Sequence, residues 1–217
     1  LEHREFCSIP AAHEGEHSVQ IELPILQHVL GDFQFVPIVV GDLDLATTRR
    51  MGKILRGLID ADTLVVASSD FTHYGPNFRY VPFTEDVQQE LEKLDGGAIE
   101  RLCNKDLQGW CDYIDQTGAT ICGRHAIGVL LSMLPEDARL HQLHYETSGR
   151  MVNDFSSSVS YCTLAVTGTW PASERIKQDK KTPELTSTDG ERLVQLARAT
   201  LTFVLNHYRM PTAEELE

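Results

Sequence analysis

The feature that most constrains how this chain can fold is a strand–helix–strand pattern between residues 35 and 68. The apolar runs at 35–40 and 63–67 do not alternate with polar residues, which is typical of strands buried on both faces of an α/β sheet. Between them, residues 46–60 carry apolar side chains at the spacing of one helical face. Such a unit predicts two parallel strands joined by a right-handed crossover. We therefore expect an α/β fold with a mostly parallel or mixed central sheet flanked by helices.

The chain after this unit predicts further helices and then two strands. Residues 83–114 are polar and mostly helical in pattern, with a break expected at the glycine pair 96–97 and a new helix capped by Asp106. Residues 140–147 and 158–167 are rich in β-forming side chains. We expect these two segments to close the domain as strands.

Charge and cysteine content limit the classes of partner. A formal net charge of −13 argues against nucleic acid and membrane surfaces, because both bind through clustered Lys and Arg. No stretch approaches the roughly 20 apolar residues of a membrane helix. The five cysteines are scattered without a C-x-x-C pair, which favours reduced thiols and a cytoplasmic location. The chain begins at Leu1 without a signal pattern, so we expect it to be part of a longer protein.

The loop after the second apolar run is the first candidate site. Asp70 and His73 follow the run 63–67 directly, and ligands in open α/β sheets bind outside the carboxyl ends of the strands. We therefore expect this loop to carry the chemistry. The alternative is that Asp70 caps a turn through its own backbone and that His73 is an ordinary loop residue.

The second candidate site is at Cys122. It precedes the amphipathic run 127–134, so it is expected at or near a helix N-terminus, where the helix dipole favours the thiolate that acts as nucleophile or metal ligand. Arg124 and His125 beside it can stabilise an anion. The alternative is that Cys122 is a small buried apolar residue.

A formal zinc-protease signature, H-E-x-x-H, occurs at 13–17. Its two histidines must lie one turn apart on a stable helix, but Gly15 lies between them and Pro10 lies just upstream. The apolar helical pattern begins only at His17. A zinc hydrolase is therefore a less favoured hypothesis, and His17 is expected at a helix entrance.

A change in composition divides the chain near its end. Residues 171–184 are charged and poor in apolar side chains, which is typical of a linker. Residues 185–217 then begin with a capping box and continue as an amphipathic helix. We expect one domain over 1–170, a linker, and the start of a second domain at 185.

Three sequence motifs resemble motifs of the Memo family and occur in the same order as in that family. They are EHSVQIELP at 16–24, SDFTHYG at 69–75 and TICGRHAIG at 120–128. SSSVSY at 156–161 is similar to the closing strand of that family. The opening of the last segment, LTSTDGERLVQLAR at 185–198, resembles the start of an AMMECR-type domain, which in microbial proteins follows a Memo domain.

The resemblance implies a fold similar to that of class III extradiol dioxygenases, enzymes that hold non-haem iron. It implies that His17 and Cys122 are metal ligands and that Asp70 and His73 line the same pocket, with His73 as acid and base. A further ligand, a histidine, belongs to a segment that precedes this sequence. Imidazole and thiolate suit iron or copper better than magnesium or calcium.

Two functions from different classes follow from this resemblance. The first is a redox-related metal protein, a dioxygenase-like oxidoreductase with iron or copper and an unknown small-molecule substrate. The second is a non-catalytic protein whose cleft binds a peptide or hands on a metal ion. Because a cleft with His, Asp and Cys serves both, the sequence leaves this choice open.

Overall fold

The computed structural model describes residues 6–170, which form helices around a short sheet. The helices are α1 (Ala11–Glu14), α2 (Ser18–Leu30), α3 (Leu45–Arg56), α4 (Val87–Cys103), α5 (Leu107–Thr117), α6 (Arg124–Met133) and α7 (Ser148–Val152). The strands are β1 (His73–Tyr74), β2 (Arg139–Thr147) and β3 (Ser158–Thr167), and a 3-10 turn covers Pro76–Phe78. The mixed α/β class predicted from the sequence is confirmed. No helix within 6–170 is long and apolar enough to cross a membrane.

Helix α3 begins where the sequence predicts a helix start. The Asp44 side chain caps it by accepting a hydrogen bond from the Thr47 N–H at 2.6 Å. Its apolar face packs on α6, where Met51, Val129 and Met133 form a small buried cluster. The predicted helix at 46–60 is thus confirmed, although it ends at Arg56.

Helix α4 runs through the glycine pair at which we expected a break, so that prediction is wrong. A Cβ atom at Gly97 would overlap the Tyr113 hydroxyl, and the missing side chain therefore lets α5 approach α4 closely. Tertiary packing outweighs the helix cost of glycine here. The predicted cap is confirmed, because Asp106 accepts a hydrogen bond from the Gly109 N–H at 2.8 Å.

The sheet has the order β1-β3-β2, and both pairings are antiparallel. Residues 140–147 and 158–167, predicted as strands, form β2 and β3. His73 pairs with Val159 at the start of β1. The candidate loop is therefore attached to the edge of this sheet.

The predicted parallel sheet is not present within residues 6–170. Residues 35–40 and 63–67 have no ladder partner there, although Val40 and Val65 pack against the Met51 cluster. Leu64 and Val66, which alternate with Val65, are exposed. β-branched apolar residues favour an extended backbone, but a ladder also needs a neighbouring strand, which such a pattern does not specify.

The zinc-protease signature does not lie on one helix. Helix α1 is only four residues long and ends at Gly15, while His17 is the N-cap of α2. His13 and His17 therefore lack the shared helical turn that a zinc protease needs. The expected helix entrance at His17 is confirmed. The linker at 171–184 and the AMMECR-type segment at 185–217 lie outside the described residues.

The main core lies directly behind the candidate site. Trp110 is 1% exposed, and its Nε1 donates a hydrogen bond to the Arg124 carbonyl at 3.1 Å. This bond fixes the first turn of α6, which follows Cys122. The buried members of this core are Phe71, Ala98, Ile99, Leu102, Trp110, Ile114, Ala119, Ile121, Ile127, Leu131, Leu134 and Ala138.

Candidate metal centre

The loop that carries Asp70 and His73 is held by β3. Ser160 forms two backbone hydrogen bonds with it, accepting from the Phe71 N–H at 2.8 Å and donating to the Thr72 carbonyl at 3.0 Å. Phe71 and Thr72 are buried, whereas the side chains of Asp70 and His73 are 47% and 22% exposed. The loop therefore has a buried side that anchors it and an exposed side that carries the titratable groups.

The hydroxyl group of Thr120, in the loop before α6, fixes the backbone of His73. Thr120 Oγ1 accepts a hydrogen bond from the His73 N–H at 2.9 Å and donates one to the His73 carbonyl at 2.7 Å. The imidazole lies against the Phe78 ring, with 5.0 Å between the centroids. Its Nε2 lies 3.4 Å from Asp70 Oδ2. The imidazole is therefore contacted on two sides, by Phe78 and by Asp70.

Cys122 lies just before α6, whose N-cap is Gly123. Its side chain is exposed, and the Asp70 N–H donates a hydrogen bond to its sulfur at 3.3 Å. The sulfur therefore accepts a backbone hydrogen bond beside the first turn of α6. The sequence prediction that Cys122 stands at a helix start is confirmed.

Ser69 ties the two loops together next to the sulfur. Its Oγ accepts a hydrogen bond from the Gly123 N–H at 2.8 Å and donates one to the Asp70 carbonyl at 2.7 Å. A Cβ atom at Gly123 would lie 2.5 Å from the Ser69 Cβ, so only glycine permits this approach. Cys122 is thus held against Asp70 by a contact between loops about 50 residues apart.

Asp70, His73 and Cys122 form a group that could hold a metal ion. One ligand atom from each residue lies within 4.8 Å of the other two. Ligand atoms bound to one metal at about 2.0–2.3 Å with tetrahedral angles lie roughly 3.3–3.8 Å apart. The contact of 3.4 Å between His73 and Asp70 falls in this range, and the sulfur lies within 4.8 Å of both ligand atoms. An imidazole, a carboxylate and a thiolate therefore fit one ion.

His17, the other predicted ligand, does not belong to this three-residue group among residues 6–170. Its Nδ1 lies 3.1 Å from the Gly15 carbonyl oxygen. Helix α2 nevertheless reaches the candidate loop, because Ser68 Oγ donates a hydrogen bond to Glu22 Oε1 at 3.2 Å. The role of His17 as a ligand stays a prediction.

Arg124 and His125, which follow Cys122, contact each other. Arg124 Nε donates a hydrogen bond to His125 Nε2 at 3.1 Å, and Asp42 Oδ1 lies 3.2 Å from the same nitrogen. Burial and, after it, the Arg124 charge lower the pKa of His125. His125 is therefore neutral near pH 7, which leaves Arg124 as the cation of this pair.

Sequence reasoning missed the residues that hold the site together. Ser69 and Thr120 were within recognised motifs, but a hydroxyl that bridges two loops has no local signature. Asp95 is fully buried on α4 and bonds to Thr72. The sequence does contain a signal for Asp95. An acid stands there on the apolar face of a helix, which is otherwise formed by Leu91, Ala98, Ile99 and Leu102.

The fold and this group of side chains define a mixed α/β protein with a candidate metal centre at the junction of two loops. A family model for Memo-like protein matches residues 5–165. The chain belongs to the Memo family.

Relatives of this chain occur in archaea and animals. A MEMO1 family protein of Methanopyrus kandleri is 32% identical over 161 residues, which cover 70% of this chain and 52% of that protein. Protein MEMO1 of Danio rerio is 35% identical over 170 residues, covering 70% and 56%. Protein MEMO1 of Homo sapiens is 33% identical over 168 residues, covering 71% and 57%. The chain spans about half the length of these relatives.

Proposed function

We propose that this Memo-family chain is a redox-related metal protein that binds iron or copper at Asp70, His73 and Cys122. The observation that carries the proposal is the convergence of one imidazole, one carboxylate and one thiolate within 4.8 Å. A thiolate with imidazole suits copper, and imidazole with a carboxylate suits non-haem iron. Either metal, when bound, would supply electron transfer that these side chains lack.

The protein side chains have separate tasks in this proposal. Cys122 is a ligand whose sulfur accepts a hydrogen bond from the Asp70 N–H at 3.3 Å. His73 and Asp70 are the other two ligands, and their contact of 3.4 Å orients the imidazole. His17 at the start of α2 is proposed as a further ligand. The likeness to class III extradiol dioxygenases and a small-molecule substrate belong to the same proposal.

The test is metal binding to the purified, metal-free protein. Stoichiometry and affinity for Fe(II) without oxygen and for Cu(I) are measured for the wild type and for Cys122→Ser, His73→Ala and Asp70→Asn. Matched controls are Cys103→Ser and His141→Ala, because both residues are exposed and outside the group. Loss of binding by at least about 10-fold in the site variants alone supports the proposal. Equal affinity in site and control variants contradicts it.

A second candidate function is metal handling without catalysis. The exposure of Cys122 and the 47% exposure of the Asp70 side chain favour it, because a donor or acceptor of metal can reach both groups. Fast transfer of Cu(I) to a chelator, with no consumption of oxygen, would support this function. Oxygen consumption that depends on bound metal and His73 would support the redox function.

A further inference from the structure

Asp95 is a fully buried acid in the middle of α4, and the proposed function does not use it directly. It lies on the apolar face of that helix beside Leu91 and Ile99. Among residues 6–170, no Lys or Arg is paired with it. A buried carboxylate is costly unless hydrogen bonds satisfy its oxygens. The groups that donate hydrogen bonds to Asp95 therefore indicate what its carboxylate holds in place.

The shortest contact of Asp95 is with Thr72. Asp95 Oδ1 accepts a hydrogen bond from Thr72 Oγ1 at 2.6 Å and another from the Thr72 N–H at 3.3 Å. Asp95 Oδ2 accepts one from the Tyr145 hydroxyl at 2.7 Å. One oxygen of Asp95 thus binds the loop that carries Asp70 and His73, and the other binds the Tyr145 hydroxyl on β2.

Thr72 lies between Asp70 and His73, and its conformation decides where both side chains lie. The Thr72 carbonyl is fixed by the Ser160 N–H, while its N–H and its side chain are fixed by Asp95. Because side chains alternate along an extended backbone, an inward Thr72 places His73 outward. The Asp70 N–H, two residues before Thr72, lies 3.3 Å from the Cys122 sulfur.

We propose that Asp95 is a positioning residue: by anchoring Thr72, it holds Asp70 and His73 in the arrangement that binds metal with Cys122. This inference rests on the proposed metal site and adds a residue about 20 positions away in the chain. Asp95 does not touch the metal in this proposal. It reduces the number of loop conformations that metal binding must select.

The test compares two isosteric substitutions on opposite sides of Asp95. Thr72→Val removes the hydroxyl that the loop carrying Asp70 and His73 donates to Asp95, and Tyr145→Phe removes the hydroxyl that β2 donates to it. Each takes one hydrogen bond from the same carboxylate, so their effects on folding should be similar. Only Thr72→Val should change the metal site.

Substitutions of Asp95 itself complete the set. Asp95→Ala removes every acceptor at this position. Asp95→Asn keeps an acceptor oxygen for Thr72, and its NH2 can donate to the Tyr145 hydroxyl, which can then donate to Ser160 Oγ at 3.3 Å. We expect the asparagine to restore metal binding that the alanine loses. If the alanine variant does not fold, Thr72→Val still tests the proposal.

The measurements are Co(II) affinity and the visible spectrum of the Co(II) protein, on variants whose folding is checked by circular dichroism. We expect Thr72→Val to raise the Kd about 10-fold with a changed spectrum, the lower end of the loss seen when groups behind metal ligands are removed. Tyr145→Phe and Asp95→Asn should stay within about 3-fold of wild type. Equal weakening by Thr72→Val and Tyr145→Phe, or none by Thr72→Val, would overturn the role of Asp95.

A measurement without metal separates this proposal from the proposed function. If the wild type binds no metal, the proposed function fails, and the rate of Cys122 alkylation then decides the role of Asp95. Thr72→Val should change that rate, because the loop would no longer hold the Asp70 N–H against the sulfur, and Tyr145→Phe should not. A Cys122 rate unchanged by Thr72→Val would show that Asp95 does not position this loop.

Discussion

The backbone N–H of Asp70 lies 3.3 Å from the sulfur of Cys122 and donates a hydrogen bond to it. The two residues belong to different loops, one entering β1 and the other entering α6. Ser69 and Thr120 bridge the same loops on either side of this contact. Contacts between the two loops therefore bring the ligand atoms of the candidate centre together.

Cys122 should react faster with an alkylating reagent than Cys162 does near neutral pH. Burial and, after it, the Asp95 charge raise the pKa of Cys162 to about 11, whereas Cys122 is exposed beside an N–H donor. Because the thiolate is the reactive form, we expect a rate difference of at least about 10-fold. Site-resolved mass spectrometry after iodoacetamide treatment measures it.

Bound metal should then protect Cys122. Coordination occupies the thiolate, so iron or copper should slow alkylation of Cys122 and leave Cys103, an exposed cysteine outside the group, unchanged. Equal protection of both cysteines, or none, would argue against ligation by Cys122.

His17→Ala should lower metal content, and His13→Ala should not. Both histidines are near the start of the described chain and four residues apart, but only His17 is predicted as a ligand. Loss of a ligand should cost at least about 10-fold in affinity. Elemental analysis of the two variants after equal metal loading measures this. Equal losses would restore the zinc-protease hypothesis, despite the break at Gly15.

Alanine at the two glycines of α4 should act in opposite directions. Gly96 has open space around its missing Cβ, so Gly96→Ala should stabilise the helix by about 0.5–1 kcal/mol. At Gly97 the Cβ would overlap the Tyr113 hydroxyl, which donates a hydrogen bond to the Leu94 carbonyl at 2.9 Å. Gly97→Ala should therefore cost about 1–3 kcal/mol. Urea unfolding measures both, and shifts of the same sign would refute the packing argument.

His125 should make the protein less stable as the pH falls below about 6.5. Burial lowers its folded pKa from the ordinary value of 6.5, so in that range the unfolded chain binds the proton more strongly. Its stabilisation is complete above the unfolded pKa and is lost as the pH falls toward the folded pKa. Protonation would also break the hydrogen bond that Arg124 donates to Nε2.

Comparison with His125→Gln tests this pH dependence. Between about pH 7.5 and 5.5, the free energy of unfolding should fall more in the wild type than in the variant. Parallel curves for the two proteins would mean that His125 does not titrate differently in the folded state.

Local chemistry explains which predictions from the sequence are confirmed. Asp44 and Asp106 cap helices through hydrogen bonds to residues three positions away. The sequence near each cap is therefore enough to predict where the helix begins. The position of Cys122 before α6 follows from the same kind of pattern. The prediction of a parallel sheet is wrong for residues 6–170, because strand pairing depends on segments that are distant in the chain. The break at the glycine pair was wrong because Tyr113, from another helix, decides the packing there.

The sequence by itself determined the helix starts, the strands β2 and β3, the Memo family motifs and the candidate residues Asp70, His73 and Cys122. Only the tertiary structure decided that one ligand atom from each lies within 4.8 Å of the others, and that Asp95 is buried behind them. The physical reason is the distance along the chain over which each kind of interaction acts. Caps and amphipathic faces depend on neighbours within about one or two helical turns, whereas a shared site depends on hydrogen bonds between loops that the fold brings together.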